Sequence, residues 1–291
     1  MIALSPTAGR LQVFRLPVPG CFRLPLLLVM ALWLTLAGTA RAAPHAPSDI
    51  GRITARGELV VAVPSFDAPP FFFRRNGELE GVDIELARGL AEALSVKARF
   101  DRRGATFNAA LERVASGAAD VAICKLSRTL ARAARVRFSE PYLRFNHALV
   151  INRLRFAEIA HGQDLAKVIR HYTGSIGVIE QSSFADFAVR NFPSASLVTY
   201  RDWDAVVAAL KRGEITAAYR DQFEIDRIFK LDPRMALTLR TVTFSDLEDT
   251  LGIAVAPDSS QLLSVINLFL SQRREKLTVE SLLKRLDEAR P

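Results

Sequence analysis

Two hydroxyl side chains and one arginine follow a short apolar run in the middle of the chain. The run is Val121–Cys124, and Ser127, Thr129 and Arg132 come after it. A helical pattern precedes the run, so we predict a strand fed by a helix, as in a βαβ unit. Ligands of open α/β sheets bind beyond the carboxyl ends of the strands. These three side chains are therefore candidates for a small-molecule site.

Their chemistry suits a carboxylate. Thr129 can cap a short helix that places Arg132 in its first turn, where free N–H groups and the positive end of the helix dipole favour an anion. A guanidinium fork can hold one carboxylate through two parallel hydrogen bonds. The alternative is an exposed arginine on a surface helix, and the chemistry of the residues leaves both interpretations open.

The elements that must position these residues follow from the apolar periodicity. The first half contains strand Leu59–Val63, helix Asp83–Leu94, a strand over 96–100, helix 106–116 and strand 121–124. The second half contains strands Ala148–Ile151, Ile176–Ile179, Leu197–Tyr200, Thr216–Tyr219 and Leu251–Ala256, and helices Phe184–Asn191, Trp203–Arg212, Gln222–Phe229, 259–273 and 278–288. This alternation occurs twice, so we predict two similar α/β lobes.

Residues 1–42 have the pattern of a secretory signal peptide. Four arginines and no acidic residue precede the mature chain, and Leu24–Ala37 is uncharged and nearly all apolar before the small-residue site Ala40-Arg41-Ala42. This run is shorter than the roughly 20 residues that a spanning helix needs. Cys21 precedes the run and so is not a lipidated first residue. We expect a cleaved leader and a soluble periplasmic protein.

Charge and cysteine content exclude other classes. Loss of the four leader arginines lowers the formal net charge from +8 to +4, and the remaining charges of both signs are interspersed, so no nucleic-acid partner is expected. Only Cys124 remains after the leader, which leaves no intramolecular disulfide. The chain lacks a glycine-rich phosphate loop, a G-x-S-x-G elbow and an H-E-x-x-H helix. The four histidines have no ligand spacing, so neither a cofactor nor a metal is expected.

Asp120–Tyr142 resembles a stretch of the periplasmic solute-binding proteins of family 3, which bind amino acids for ABC importers. The family pattern there is an aspartate, an apolar strand, T-x-T, an arginine and then F-S-x-P-Y. Ser127 and Thr129 fall on the two hydroxyl positions, and Arg132 falls on the arginine. Because that arginine grips the α-carboxylate of the ligand in the family, the resemblance implies the same role for Arg132.

Two stretches of the second half carry the same resemblance. Gly177–Ser183 is similar to the family's G-V-x-x-G-T-T loop, which implies that Ser182 and Ser183 complete carboxylate binding, with Gln181 in place of a glycine. Ala217–Asp221 is similar to D-A-V-x-x-D, whose last aspartate pairs with the ligand's ammonium group. Asp221 is the matching residue, and the alternative is that it only caps the helix that follows.

Three departures bear on the ligand. Ala68 replaces an aromatic residue before the Pro-Pro-Phe loop, so Phe71 or a neighbouring phenylalanine would have to cover the ligand. Lys125 stands where family members often have a small residue, close to the expected ammonium, and Arg220 precedes Asp221. Such cations would repel an amine unless they turn away or the ligand carries a second acid group. An acidic amino acid or an amine-free carboxylate therefore fits as well as a neutral amino acid.

The resemblance implies the two-lobed, type II periplasmic-binding-protein-like fold, with two Rossmann-like α/β lobes joined by two hinge segments. Lobe 1 is expected over 49–148 plus 248–291 and lobe 2 over 149–247. It also implies a monomer that captures a small carboxylate, with a polar or acidic amino acid favoured, closes about its hinges and serves an ABC permease or another periplasmic partner. One alternative is a cyclohexadienyl dehydratase with Glu180 or Glu140 as its acid, and another is a sensor with a degenerate cleft.

Overall fold

The structure is a computed structural model that describes residues 49–274 and 277–289. The predicted signal peptide lies outside the described residues. Among the residues that are described, no helix has both the length and the apolar character needed to cross a membrane.

The chain forms two five-stranded sheets with helices packed on them. The first part comprises α1 Asp49–Arg56, β1 Glu58–Ala62, β2 Phe73–Arg75, β3 Glu78–Glu80, α2 Val82–Ala93, β4 Lys97–Asp101, α3 Phe107–Ala115, β5 Val121–Ala122, α4 Leu130–Ala133 and β6 Arg137–Phe138. The middle part comprises β7 Leu143–Asn152, α5 Arg153–Ala160, α6 Leu165–Arg170, β8 Ser175–Ile179, α7 Ser183–Asn191, β9 Ser196–Tyr200, α8 Trp203–Arg212, β10 Ala217–Asp221 and α9 Gln222–Leu231. A 3-10 helix at Pro233–Leu237, β11 Leu239–Leu251, β12 Ala254–Val255, α10 Ser260–Gln272 and α11 Val279–Glu288 follow.

Each sheet forms the centre of one lobe. The first has the order β4-β1-β5-β12-β6, in which β1 is parallel to β4 and β5, and β12 is antiparallel to β5 and β6. The second has the order β11-β7-β10-β8-β9, with parallel pairs β10–β8 and β8–β9. Because β12 comes from the C-terminal part of the chain, the first sheet is built from two separated stretches. The predicted two-lobed α/β fold is confirmed, and the lobe boundaries given above stay a prediction.

Two long strands run from one lobe to the other. In β7, Leu143 packs in the core of the first lobe, whereas Leu149 and Ile151 pack in the second. In β11, Leu251 joins the first core and Leu239 joins the second. The two strands pair antiparallel along their length, with a register shift between Thr243 and Glu248. Both connections between the lobes are therefore hydrogen-bonded to each other.

The strand predicted at Leu251–Ala256 is wrong in extent. The chain instead forms the 13-residue β11, which ends at Leu251, and the short β12. Much of β11 is polar and lies at the edge of its sheet, so no apolar run marks it in the sequence. The helices α1, α5 and α6 and the β2–β3 hairpin were not predicted. The predicted helix Trp203–Arg212 matches α8 residue for residue.

Candidate functional site

A cavity lies between the lobes at the ends of β5, β8 and β10. Its enclosed volume is about 20 Å³, room for about one water molecule, so a solute fits only after the lobes move apart. We call it the interlobe cavity, and it is lined by Phe107, Lys125, Ser127, Arg132, Ser182, Ser183, Phe184, Arg220, Asp221 and Asp249. Its polar and charged lining suits a small ionic solute better than an apolar one.

Arg132 is held in the first lobe by neutral groups. Thr129 caps α4 as predicted, and its hydroxyl accepts a hydrogen bond from the backbone N–H of Arg132 at 3.2 Å. The guanidinium donates from Nε to Asn108 Oδ1 at 3.1 Å and from Nη1 to the carbonyl of Ser127 at 3.0 Å. Burial lowers the pKa of Arg132, whose side chain is well shielded from water. Part of the guanidinium fork therefore remains available to an anion.

Serine hydroxyl groups join the two lobes across the interlobe cavity. Ser127 Oγ lies 2.9 Å from Ser183 Oγ and also donates to Asp249 Oδ2 at 2.9 Å. Since the proton of Ser127 goes to Asp249, Ser183 is the donor in the contact between the lobes. Ser182 caps α7 and donates its own hydroxyl proton to the carbonyl of Ile179 at 2.7 Å. Its hydroxyl therefore has a structural role.

Lys125 is enclosed by two carboxylates and three aromatic rings. Its ammonium lies 3.1 Å from Asp221 Oδ2 and 2.7 Å from Glu224 Oε1, and only 4% of its side chain is exposed. The ring centroids are 4.8, 5.7 and 5.2 Å from the ammonium for Phe71, Phe145 and Phe223 respectively. We call these six residues the lysine cage. An ammonium above aromatic faces is stabilised by their quadrupoles, which adds to the two ion pairs.

The carboxylates of the lysine cage come from the start of α9. Asp221 caps this helix by accepting the backbone N–H of Glu224 at 3.1 Å, so its capping role and its ion pair with Lys125 occur together. Burial opposes ionisation of Glu224, but the charges of Lys125, Arg227 and Arg220 outweigh it and hold the pKa of Glu224 well below its usual range. Glu224 is therefore the firmly ionised partner of Lys125.

The backbone at Lys125 has a conformation that glycine adopts more readily. Its φ is +52°, in the left-handed region, and Gln181, which also replaces a family glycine, has a φ of +55°. Asp83 holds the Lys125 backbone by accepting its N–H at 2.6 Å, and it also accepts the Tyr142 hydroxyl at 3.0 Å. Burial raises the pKa of Asp83 to about 7. The lysine thus keeps a glycine-type turn and adds a side chain to it.

Arg220 is the second arginine of the interlobe cavity. It is 8% exposed, and its guanidinium carbon lies 5.7 Å from the ring centroids of both Phe184 and Trp203. Its Nε is 3.5 Å from Asp221 Oδ2 and makes no hydrogen bond. Because Asp221 also pairs with Lys125 at a shorter distance, Arg220 keeps unused hydrogen-bonding capacity beside the cavity.

Asp249 is a cavity residue that was not predicted. Its Oδ2 accepts the Ser127 hydroxyl, whereas Oδ1 is buried without a hydrogen-bond partner. Burial, helped by the nearby charge of Asp221, raises the pKa of Asp249 to about 6. Asp249 pairs with Phe145 of β7 in the antiparallel register. The apolar alternation that Val242 and Phe244 begin does not continue to Asp249, so no clear sequence signal marks this part of the strand.

The structure brings most of the predicted site residues together. Those that line the interlobe cavity are Arg132, Asp221, Ser127, Lys125, Ser182 and Ser183. Thr129 acts as a helix cap outside the lining, and Phe71 lies behind Lys125 in the lysine cage. The lining residues not predicted as ligand contacts are Phe107, Phe184, Arg220 and Asp249. Direct contact of any of these with a solute stays a prediction.

Comparison with known proteins assigns the family. The chain is 26% identical over 202 residues to ABC transporter arginine-binding protein 1 of Escherichia coli (strain K12), covering 68% of this chain and 78% of that one. It is 24% identical over 235 residues to the L-cystine-binding protein TcyJ of the same strain, covering 80% and 84%. The crystal structure of the ancestral amino acid-binding protein AncCDT-1, a precursor of cyclohexadienyl dehydratase, has a TM-score of 0.63 at 23% identity and covers 82% of this chain and 99% of that one. The family model of the bacterial extracellular solute-binding proteins, family 3, matches residues 59–286, and the chain belongs to that family.

Proposed function

We propose that this protein captures a small carboxylate solute in the periplasm and delivers it to an ABC importer, without transforming it. The observation that carries the proposal is Arg132, a buried guanidinium that lines the interlobe cavity and contacts only neutral groups there. A desolvated cation that donates hydrogen bonds only to neutral groups favours an anionic ligand, although the nearby charges of Asp249 and Asp186 also act on it. Membership of a solute-binding family supports transport as the purpose of the capture.

The geometry suggests how capture proceeds. The solute carboxylate takes the free part of the Arg132 fork, and the hydroxyl of Ser183 approaches from the other lobe. Because the contacts come from both lobes, closure about the two connecting strands excludes water and strengthens them. A ligand that binds the closed arrangement better than the open one shifts the equilibrium towards closure.

Relatives named for arginine and cystine make amino acids the first ligands to test, in line with the polar or acidic amino acid favoured by the sequence. We place the protein in the periplasm as a monomer that meets an ABC permease in its solute-loaded form. A sensor role with a degenerate cleft is not favoured, because the buried charges of Arg132 and Arg220 converge on one cavity.

The dehydratase alternative needs a cleft acid with a raised pKa, and Glu180 and Glu140 are its candidates from the sequence. Both side chains are exposed, and neither lines the interlobe cavity. A general acid has to reach the reacting group, so these two glutamates do not support that reaction. Asp249, which lines the cavity and has a pKa raised to about 6, does meet the requirement for a cleft acid. We retain solute capture because the family is one of solute-binding proteins, and turnover of prephenate by the purified protein would overturn that choice.

Thermal-shift screening followed by calorimetry tests the proposal, with amino acids and C3–C6 organic acids as probes. Binding to the native state raises the melting temperature by mass action. Arg132→Gln is expected to lower affinity at least tenfold, since a buried charge partner typically contributes ~2–5 kcal/mol to binding. Arg137→Gln, an exposed arginine on β6, is the matched control and is expected to bind like the wild type. If no probe binds, or if Arg132→Gln binds normally, the proposal is wrong.

A further inference from the structure

The lysine cage has the composition of an ammonium-binding site. Two carboxylates and three aromatic faces surround one cation, and that cation is a side chain of the protein itself. Lys125 reaches this position from the first lobe, while Asp221 and Glu224 belong to the second. The carboxylate that would receive a ligand's amine therefore already holds an ammonium at 3.1 Å.

The remaining charges of the interlobe cavity favour an anion with two acid groups. Arg132 from the first lobe and Arg220 from the second are both more than nine-tenths buried, and both line the cavity. Arg132 donates hydrogen bonds only to neutral groups, and Arg220 Nε makes no hydrogen bond although it lies 3.5 Å from Asp221 Oδ2. Two buried guanidinium groups with spare donors, on opposite sides of one small cavity, can each take one carboxylate.

The acids in the lining do not cancel this preference. Asp221 is engaged by Lys125, and Asp249 is a carboxyl group whose pKa is raised to about 6 by burial. Asp249 Oδ1 is unpartnered, and although this carboxyl is mostly ionised at neutral pH, its raised pKa lets it take up a proton together with an incoming carboxylate and then donate a hydrogen bond to it.

We propose, on the basis of the proposed function, that the solute is a small dicarboxylate without an α-ammonium group. One carboxylate binds Arg132 and the second binds Arg220, while Lys125 fills the ammonium position between the lobes. An amino acid would bring a second cation against the lysine cage, and the repulsion would lower its affinity. Lys125 then determines the class of ligand, because its ammonium occupies the position that the ligand's amine would take.

Matched pairs of probes test the ligand class. Succinate and L-aspartate share a carbon chain and differ only in the α-ammonium group, as do glutarate and L-glutamate. Calorimetry on the wild type is expected to show at least tenfold tighter binding of the amine-free member of the better-binding pair. If the amino acid binds more tightly than its amine-free counterpart, and Arg132→Gln abolishes that binding, the inference is wrong while the proposed function stands. If neither class binds, the proposed function fails as well.

Variants test the roles of the two residues. Lys125→Gly suits the left-handed backbone and opens the lysine cage, so the preference is expected to change at least tenfold towards the amino acid. Arg220→Gln is expected to weaken diacid binding at least tenfold and to leave a monocarboxylate such as butyrate nearly unaffected. Arg190→Gln is the control, because Arg190 also lies over a phenylalanine ring, at 5.3 Å, but outside the cavity lining. The inference is overturned if Arg220→Gln binds the diacid with wild-type affinity. It is also overturned if folded Lys125→Gly keeps the wild-type preference for the diacid over the amino acid. If a variant does not fold, the comparison of the matched probes on the wild type decides the inference.

Discussion

The ammonium of Lys125 lies 3.1 Å from the carboxylate of Asp221, and these two buried residues belong to different lobes. A buried ion pair stabilises a protein only when its geometry and its other hydrogen bonds offset the loss of hydration. Here Glu224 supplies a second carboxylate at 2.7 Å, and three phenylalanine rings enclose the ammonium. The chemistry of the interlobe cavity and the contact between the lobes therefore depend on the same lysine.

Lys125→Met is expected to destabilise the protein by up to about 3–5 kcal/mol at pH 7.5, because it removes the shared counter-charge of the buried Asp221 and Glu224 and leaves them only Arg220 at 3.5 Å and Arg227 at 3.1 Å. Urea denaturation measures the change. Lys97→Met, at an exposed position on β4, is the matched control and should remain within about 0.5 kcal/mol of the wild type. The double variant Lys125→Met, Asp221→Asn should recover part of the loss, since Glu224 keeps its 3.1 Å ion pair with Arg227. A cost below about 1 kcal/mol for Lys125→Met would show that the lysine cage does not stabilise the fold.

Asp249→Asn is expected to stabilise the protein at pH 7.5 and to have less effect at pH 5. Burial, together with the Asp221 charge and against the charges of Lys125 and Arg132, raises the pKa of Asp249 from 3.8 to about 6. The native state therefore holds this proton more tightly than the unfolded state, and stability falls as the pH rises from 3.8 through 6. The full penalty above pH 6 is at most about 3 kcal/mol.

Denaturation curves of the Asp249→Asn variant and the wild type at the two pH values measure this difference. Asp246→Asn, on the exposed face of the same strand, is the control and should show no such dependence. An Asp249→Asn effect that is equal at pH 5 and pH 7.5 would mean that Asp249 titrates normally.

Thr129→Ala is expected to lower stability by about 1 kcal/mol through loss of the helix cap, with less than a threefold change in carboxylate affinity. The hydroxyl accepts the Arg132 N–H and lies outside the cavity lining. Thr129→Ser keeps the cap and should behave like the wild type. A loss of affinity above tenfold in Thr129→Ala, with the fold intact, would instead place this hydroxyl against the solute.

The exported protein is expected to begin at or near Ala43, because signal peptidases cleave after a small-x-small motif such as Ala40-Arg41-Ala42. Intact-mass measurement on protein recovered from the periplasm checks this. Replacement of Ala40 and Ala42 by leucine should leave the leader attached. A lipid adduct, or an uncleaved leader in the unmodified chain, would contradict the prediction.

The sequence predicts the elements whose apolar residues repeat with a clear period, such as α8, and it does less well at the polar edge of a sheet. The strand β11 pairs with a single neighbour, so its residues need not be apolar and no run reveals it. In the site, too, some residues can be predicted from the sequence and others cannot. Motif positions locate Arg132 and Asp221, and the spacing of three residues from Asp221 could have indicated Glu224 on the same helix face. Phe223 meets Phe71 and Phe145 only through the contact between the lobes, which no local pattern encodes.

The docking of α9 on the first lobe has a kinetic consequence. Phe223 packs in the core of the first lobe, Glu224 binds Lys125, and Lys230 forms a 2.8 Å ion pair with Asp287 of α11. Because the closed cavity has room for about one water molecule, we expect a solute to enter only after these contacts separate, which would make opening an obligatory step before each encounter. The observed association rate then levels off at high solute concentration, at the rate with which the protein opens, rather than rising to the diffusion limit. Exchange of bound for free solute is governed by the same movement, which makes α9 the element that sets the residence time.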